Sequence, residues 1–462
     1  MDINNILISP VETPGVIYPQ DYYIKTMNFL TSSGQRIDLT KIMVEFSYFE
    51  DIYNFSISGY IRVEDAQGFI ELLQLTGNEY IEINFGKVKN AVNINDQKYR
   101  VYKIGDRASN SSNVERYNLY FCSDELLLSE QIKVTKTYSG KLISEMVQDI
   151  LTDQLSVEAS KINIIEETTG MLDFIVPRLK PFEAISWMST YARPKATGTI
   201  GTDMLFFETR DGFNFRSLQT MFKGDVYATY KYEQMNLSDD VQPLSEKVLQ
   251  VLQYEIKKSF DVVSDISSGA FASKLISIDP ITRSFNTTNF DYESFKQQAE
   301  SLNPNGIVNN LKNRFGESLN QAYDAVTKVA TGNASQYQVP YIKEKQGSVA
   351  PDIYIETTLP QRTAQINLAN YNVVKMIIPG DPGISAGRVI QFNLPTIKPT
   401  DSYKELNEYY SGKYLVTAVR HLIKPLEGTY QTILEIAKDS SAKGYQNPNN
   451  NDAVWKDATT SA

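Results

Sequence analysis

The sequence predicts a mainly β protein with α/β insertions, and three observations carry that prediction. Most segments alternate apolar and polar residues at a period of two, between turns rich in Gly, Asn and Asp. Two stretches in the first half change to helical spacing. Two strand regions far apart in the chain share a weak common pattern. At 462 residues, more than one domain is expected, with a substantial core that needs no cross-links.

Residues 23 to 125 read as antiparallel strands. In "KIMVEFSYFEDIYNFSISGYIRV", Ile42, Val44, Phe46 and Tyr48 alternate before an acidic turn at Glu50 and Asp51. Phe55, Ile57, Gly59, Ile61 and Val63 alternate after it. "TGNEYIEINF" adds a Gly-Asn turn and a strand presenting Ile81, Ile83 and Phe85 on one face. "QKYRVYKIG" and "ERYNLYFCS" form a second hairpin across a polar loop. Five short strands with one apolar face each predict a small barrel or sandwich.

The period then lengthens. "SGKLISEMVQDILTDQL" places Ile143, Met146, Val147, Ile150 and Leu151 at helical spacing, with Ser139 positioned to cap. "KINIIEE" reads as a strand. In "VPRLKPFEAISWMSTYARP", Pro181 suits the first helical turn and Pro194 ends the segment. An α/β insert is the expectation. "MLFFETRDGFNFRSL" is a hairpin turning at Asp211-Gly212, and Gly269 hinges a helical turn to a strand in "FDVVSDISSGAFASKLISID".

Residues 303 to 330 carry Ile307, Leu311, Phe315, Leu319, Ala322, Val326 and Val329 at steps of four and three. That spacing predicts an amphipathic helix, packed on its own domain or docking a partner through Ile307, Leu311, Phe315 and Leu319. From about 353 to 440 the chain reads as strands again: "YNVVKMII", the turn "PGDPG", "GRVIQFNL", "GKYLVTAVRHLI" and "GTYQTILEIAKDS". Residues 441–462, rich in Asn, Ser, Ala and Asp, are expected to be disordered, with Trp455 the aromatic available there as an anchor.

The two strand regions repeat one another faintly. Lys98-Tyr99 and Lys413-Tyr414 each open a strand, and Tyr117 and Tyr430 each open the return strand. Before each lies a strand entered from a glycine turn, "TGNEYIEINF" and "SAGRVIQFNL". Two similar modules per chain, in a ring of three chains, would present six near-equivalent units to a sixfold partner.

Composition narrows the chemistry. A net charge of −10 disfavours non-specific binding to nucleic acid or an anionic membrane. No run is long enough to cross a bilayer as a helix, and "MDINNILISPVETPGV" lacks signal-peptide character, so a soluble protein made in a cytoplasm is expected. The single cysteine, Cys122, excludes an intrachain disulfide and reads as a small half-buried strand residue. The single histidine, His421, lies among aliphatics at period two, which suits a satisfied, partly buried side chain better than a catalyst. No His-rich zinc motif, phosphate loop or nucleophile elbow occurs. "PGDPGISAG" joins strand to strand, so Gly380, Gly383 and Gly387, like Gly212, read as turn glycines. Glu45, Glu50 and Asp51, and Asp239 with Asp240, read as solvated acidic turns, although two carboxylates across a cleft would suit a polysaccharide-acting enzyme. No catalytic residue, metal ligand or cofactor site is assigned.

"SGKYLVTAVRHLI" followed by "YQTILEIAKDS" resembles the C-terminal signature of the central baseplate hub subunit of T4-like contractile-tailed phages. The resemblance extends back through "IIPGDPGISAGRVIQFNLP", "FFETRDGFNFRSL" and "FIVPRLKPFEAISWMSTYARP". It implies a non-enzymatic virion protein, assembled in the host cytoplasm, whose homotrimer forms a pseudo-sixfold ring from two tube-like antiparallel β-barrel domains per chain. One side of such a ring meets a central spike protein. The other meets tail tube or tube-initiator proteins, with further baseplate proteins around it, and DNA passes through the lumen without specific binding. By that analogy residues 1–125 are the first barrel and 126–205 with 245–300 the outer α/β insert. Residues 206–244 with 351–440 make the second barrel, and 301–350 a helical excursion. The related spike-base protein of a contractile secretion system is the alternative, but no β-helical spike repeat follows residue 440.

Overall fold

The computed structural model describes residues 21–73, 75–87, 94–111, 114–196, 198, 200–233, 247–279, 284–306, 311–331, 342–344, 355–396 and 406–441. Expectations about Ile307, Asp239, Asp240, Trp455 and residues 442–462 lie outside them. The first region holds β1 (Tyr23–Leu30), β2 (Arg36–Asp38), β3 (Met43–Asp51), β4 (Ser58–Asp65), β5 (Tyr80–Gly86), β6 (Ile94–Ser111) and β7 (Val114–Cys122). Alternation sets the inward face: β4 buries Gly59, Ile61 and Val63, and β5 buries Ile81, Ile83 and Phe85. A bulge between Met43 and Glu45 resets the phase of β3, so Met43 is buried where Ile42 was expected. These side chains pack with Phe46, Tyr48, Leu119 and Phe121 into one core. Cys122 is a free thiol, fully rather than half buried.

The insert follows, with β8 (Val134–Lys141), a helix Ile143–Asp149 that loosens into a π turn at Ile150–Gln154, β9 (Ile162–Ile165), β10 (Thr168–Thr169) and β11 (Leu172–Leu179). A helix Pro181–Ser189, β12 (Arg193–Pro194) and the hairpin β13 (Met204–Thr209) and β14 (Gly212–Ser217) complete it. Met146, Val147, Ile185 and Met188 pack on Phe174, Phe206 and Phe213. Pro181 occupies the first helical turn, where its missing N–H costs nothing. Ser139 does not cap the earlier helix; it sits in β8 and donates to Asp173 at 2.8 Å, and Glu145 instead accepts from the Leu142 N–H at 3.0 Å. The hairpin β13–β14 pairs with β9 in the insert's own sheet, so it sits with the insert rather than the second barrel.

Next come β15 (Val226–Lys231), β16 (Gln253–Lys258), a helix Val262–Ser268 ended by Gly269 at φ 75°, β17 (Ala272–Asp279), β18 (Ser284–Asp291), β19 (Asn305–Gly306), β20 (Thr327–Thr331) and β21 (Ile342–Glu344). The amphipathic helix expected over 303–330 does not form in the described residues. The Asn313 side chain accepts from the N–H groups of Phe315 and Glu317, Gly316 takes φ 82°, and Lys312 bridges Ser318, which makes a tight turn. β-branched Thr327, Val329 and Thr331 then form a strand parallel to β17. Leu311 packs against the Phe271 cluster, Phe315 is exposed and Leu319 opens a short 3-10 turn, so the three share no helical face.

The chain reaches its last strands through a helix, Ile355–Ala369, where strands were expected. Its first turns hold Thr357, Thr358 and Pro360, and its buried stripe narrows to Ala364 and Leu368 on the Phe271–Phe290–Tyr292 cluster, too sparse a pattern to show at helical period. β22 (Asn372–Pro379), β23 (Val389–Asn393), β24 (Gly412–Lys424), β25 (Thr429–Lys438) and β26 (Ser440–Ser441) are the last strands among the described residues.

Strand pairing joins both regions in one thirteen-stranded sheet, ordered β16-β22-β25-β24-β3-β4-β7-β6-β5-β1-β2, with β23 beside β24 and β15 beside β23. The architecture is mainly antiparallel β with α/β insertions, as the sequence predicts, but the strands run as one open sheet rather than two closed barrels. β16, expected in the insert, is the sheet's edge.

The faint repeat becomes a topological one. β3-β4-β7-β6-β5 and β16-β22-β25-β24-β23 are two five-stranded units with the same order, antiparallel throughout. Ile81 pairs with Tyr99 as Ile390 pairs with Tyr414, and Val101 pairs with Phe121 as Val416 pairs with Ile436. Each long strand then carries a bulge at the same place, Tyr102 in β6 and Thr417 in β24. The register aligns Tyr117 with Thr432, not with Tyr430.

Two turn glycines are required by space. A Cβ on Gly380 would lie 2.1 Å from the Tyr430 ring, and one on Gly383 would lie 2.3 Å from the Tyr227 hydroxyl. Gly387 takes φ 84° and Gly212 φ 116°. Tyr430 is buried against Phe85, so it cannot retreat from a methyl group. Gly380→Ala is therefore expected to destabilise the fold by about 2–4 kcal/mol in chemical denaturation. A loss below about 0.5 kcal/mol would contradict this packing.

Candidate functional site

The residues with unusual environments converge where the two units meet. β24 is longer than its local partner β23, which covers only Gly412–Leu415. Beyond the bulge, Ala418–Ile423 pairs antiparallel with Asp51–Phe46 of β3. This seam faces His421 and Tyr48 inward and Arg420 and Glu45 outward.

On the inner side His421 is fully buried against Tyr48, Phe85 and Tyr430. Its Nδ1 lies 2.8 Å from the Tyr430 hydroxyl and 3.4 Å from that of Thr432, and Nε2 has no hydrogen-bond partner among the described residues. Burial, helped by the Arg210 charge, pulls its pKa down to about 3, so it is neutral at physiological pH. Tyr430 also abuts Gly380, whose carbonyl accepts from Lys87 at 3.0 Å. Asp381 takes the Tyr227 and Tyr230 hydroxyls at 3.1 and 3.2 Å.

Two buried carboxyl groups tie the insert to this seam. Glu50, at the end of β3, accepts the N–H of Arg210 at 2.9 Å and of Ala386 at 3.0 Å, one on each oxygen. Those bonds favour the carboxylate, yet full burial outweighs them and raises its pKa to about 7. Glu208 in β13 accepts the Ile57 N–H at 2.9 Å and the Ser123 hydroxyl, and burial raises it to about 8. The Arg210 guanidinium donates to the Gly383 carbonyl at 2.8 Å. Glu50 thus holds three segments at one point: its own strand, the insert's hairpin tip and the turn before β23. It is not a solvated turn acid. Nor is Glu45, which pairs with Arg420 and Arg62, while Asp51 caps the Tyr53 N–H.

The arrangement joins distant segments of the chain. His421 is buried, neutral and committed to a tyrosine, and Glu50 uses both oxygens on backbone. The cleft beside Glu208, between Tyr99, Lys161, Asp211 and Gly212, holds ≈ 70 Å³, small against the roughly 300–1,000 Å³ of ligand pockets. Among the described residues no group of three His, Cys, Asp or Glu is placed to hold a metal ion. Sequence reasoning singles out His421, Glu50, Gly380, Gly383 and Gly212 without bringing them together, names Tyr430 only as the start of a strand, and misses Glu208, Arg210, Lys87 and Asp381. One signal was readable: Glu208 and Arg210 interrupt a run, Met204 to Phe215, that is otherwise dominated by apolar residues, which marks buried polar groups.

The raised carboxyl pKa values fix a pH dependence. Folding moves Glu50 and Glu208 up from 4.5, so between about pH 5 and 8 the folded chain holds protons that the unfolded chain has released, and stability falls as pH rises. His421 acts oppositely. Its contribution is complete above its unfolded value of 6.5 and is lost as pH falls towards 3. From pH 5 to 8.5, the wild type is expected to lose about 2–4 kcal/mol relative to Glu208→Gln in urea titrations. Parallel pH profiles for the two proteins would show that Glu208 keeps an ordinary carboxyl pKa.

No known family's sequence profile matches the chain. A probable baseplate hub protein of Vibrio phage KVP40 is 22% identical over 396 residues, covering 83% of this chain and 87% of that protein. Among solved structures, a tail protein of Neisseria meningitidis MC58 superposes with a TM-score of 0.51 at 9% identity, over 91% of this chain and 97% of the other. A 43 kDa tail protein of prophage MuSo2 from Shewanella oneidensis gives 0.51 at 7% identity, over 90% and 99%. The resemblance read from the sequence is therefore supported: the chain is similar to a phage baseplate hub protein over most of both lengths, and it shares the fold of the two tail proteins.

Proposed function

We propose that the chain is a structural virion protein, the central hub of a contractile-tail baseplate. Three copies form a ring that adapts a threefold spike to a sixfold tail tube and encloses part of the DNA channel. The observation that carries this reading is the duplicated five-stranded unit. One chain holds two copies of the same sheet, so three chains supply six near-equivalent units around an axis while keeping threefold symmetry elsewhere. The likeness to a phage baseplate hub protein over most of both chains supports the same assignment.

The remaining elements fit this role. The insert and the strands β17, β18 and β20 form sheets that do not pair with the thirteen-stranded sheet, and surrounding baseplate proteins would meet them. A net charge of −10 favours a wall along which DNA slides. Buried carboxyl groups that spend their oxygens on N–H and hydroxyl groups of distant segments, and so hold one strand junction together, favour a load-carrying role over catalysis.

Negative-stain electron microscopy of the purified protein, alone and with the spike protein, tests the proposal. Rings with threefold symmetry and an open centre, close to sixfold at low detail, are the expected result. Particles of a single chain in both preparations would refute it.

A further inference from the structure

The two units share a topology but not a set of neighbours, and the difference leaves two strand edges open. In the second unit, β24 outruns β23, and its free half is taken by β3 of the first unit. In the first unit, β6 outruns β5 in the same way. β5 covers β6 from Ile94 to Arg100. Beyond that, among the described residues, β6 pairs with a strand only on its β7 side. Lys103, Asp106, Arg107 and Ala108 are exposed. The counterpart of β3 in the second unit is β16, which in the described residues pairs with β22 alone. An open strand edge is a template for another strand. Here the chain supplies both halves of a pairing that it already makes once, but at opposite ends of its sheet.

We infer that β16 of one copy pairs antiparallel with the far half of β6 in the next copy, in the register that β3 and β24 use within the chain. Carried across, the seam's pairing of Arg420 with Phe49 sets Gly105 opposite Lys258. The pairing of Leu422 with Ser47 sets Ala108 opposite Glu255, one extra residue being taken up by the bulge between Gly105 and Ala108. In this register Asp106 lies beside Lys257 and Arg107 beside Glu255, so opposite charges adjoin across the contact and extend the pairs that Arg107 makes with Glu115 and Lys257 with Glu255 within the chain. The contact is head-to-tail, because it uses different edges on the two copies, and such a contact closes into a ring when its rotation allows. The inference rests on the ring proposed above and names the surface that forms it.

Thiol cross-linking separates the two ideas. The double variant Ala108→Cys/Glu255→Cys, treated with a short bis-maleimide, is expected to run as covalent three-chain species on a denaturing gel. Met171→Cys/Glu255→Cys, with an exposed position on the insert, should stay single. Cys122 is buried and does not report. Light scattering on the untreated variants gives the mass. A threefold mass with no link between 108 and 255 overturns this pairing and leaves the ring standing. Linked pairs that never reach three chains keep the edge contact and overturn the ring. A single-chain mass without links overturns both.

Discussion

One constraint organises the molecule: a strand's backbone groups need partners along its whole length. β24 runs for 13 residues and its neighbour β23 for only 5. The excess has to be paired, and β3 does it. From that necessity follow the welding of two units into one sheet, the turn of His421 and Tyr48 into a common core, and the crowding of Glu50, Arg210 and Gly383 at the junction. The bulge at Thr417 is where β24 changes partner, and bulges are a usual means of bending a strand from one sheet direction to another.

The buried carboxyl groups at this junction add definition more than stability. Glu50 and Glu208 are each desolvated at a cost that their backbone hydrogen bonds only partly offset, as their raised pKa values record. Apolar side chains of similar volume would bury as well but would tolerate sliding. A carboxyl group that accepts two N–H groups from distant segments admits one arrangement of those segments. The insert is thereby fixed in angle on the sheet as well as attached to it.

Much of this was legible in the sequence. Period-two alternation located β4, β5, β24 and β25; β4 buries every second residue, whereas β24 is buried on both faces along most of its length and shows alternation in sequence more than in burial. The hairpin at Asp211-Gly212 and Pro181 at a helix start were readable from local chemistry. The failures have physical causes. The segment around Asn313 and Gly316 has helical spacing of apolar residues, yet local side-chain-to-backbone bonds give its backbone a turn instead. The helix Ile355–Ala369 was invisible because tertiary contacts at Ala364 and Leu368, not amphipathicity, hold it. The seam itself was out of reach, since strand partners hundreds of residues apart leave no local trace. His421, whose aliphatic neighbours suit a satisfied, partly buried side chain, is instead fully buried, with Nε2 unpaired among the described residues.

The two units differ in how their first hairpin is closed. β3 and β4 are joined by the short turn between Asp51 and Ser58, whereas the equivalent strands β16 and β22 are separated by everything from 259 to 371. Local pairs form quickly and distant ones wait for loop closure, whose entropy grows with the intervening length. During synthesis the first unit emerges whole and early, while the second cannot complete its sheet until nearly the entire chain is available. The edge of β3 is then already ordered, and β24 arrives onto a finished template. Order of folding is thus written into the placement of a single excursion.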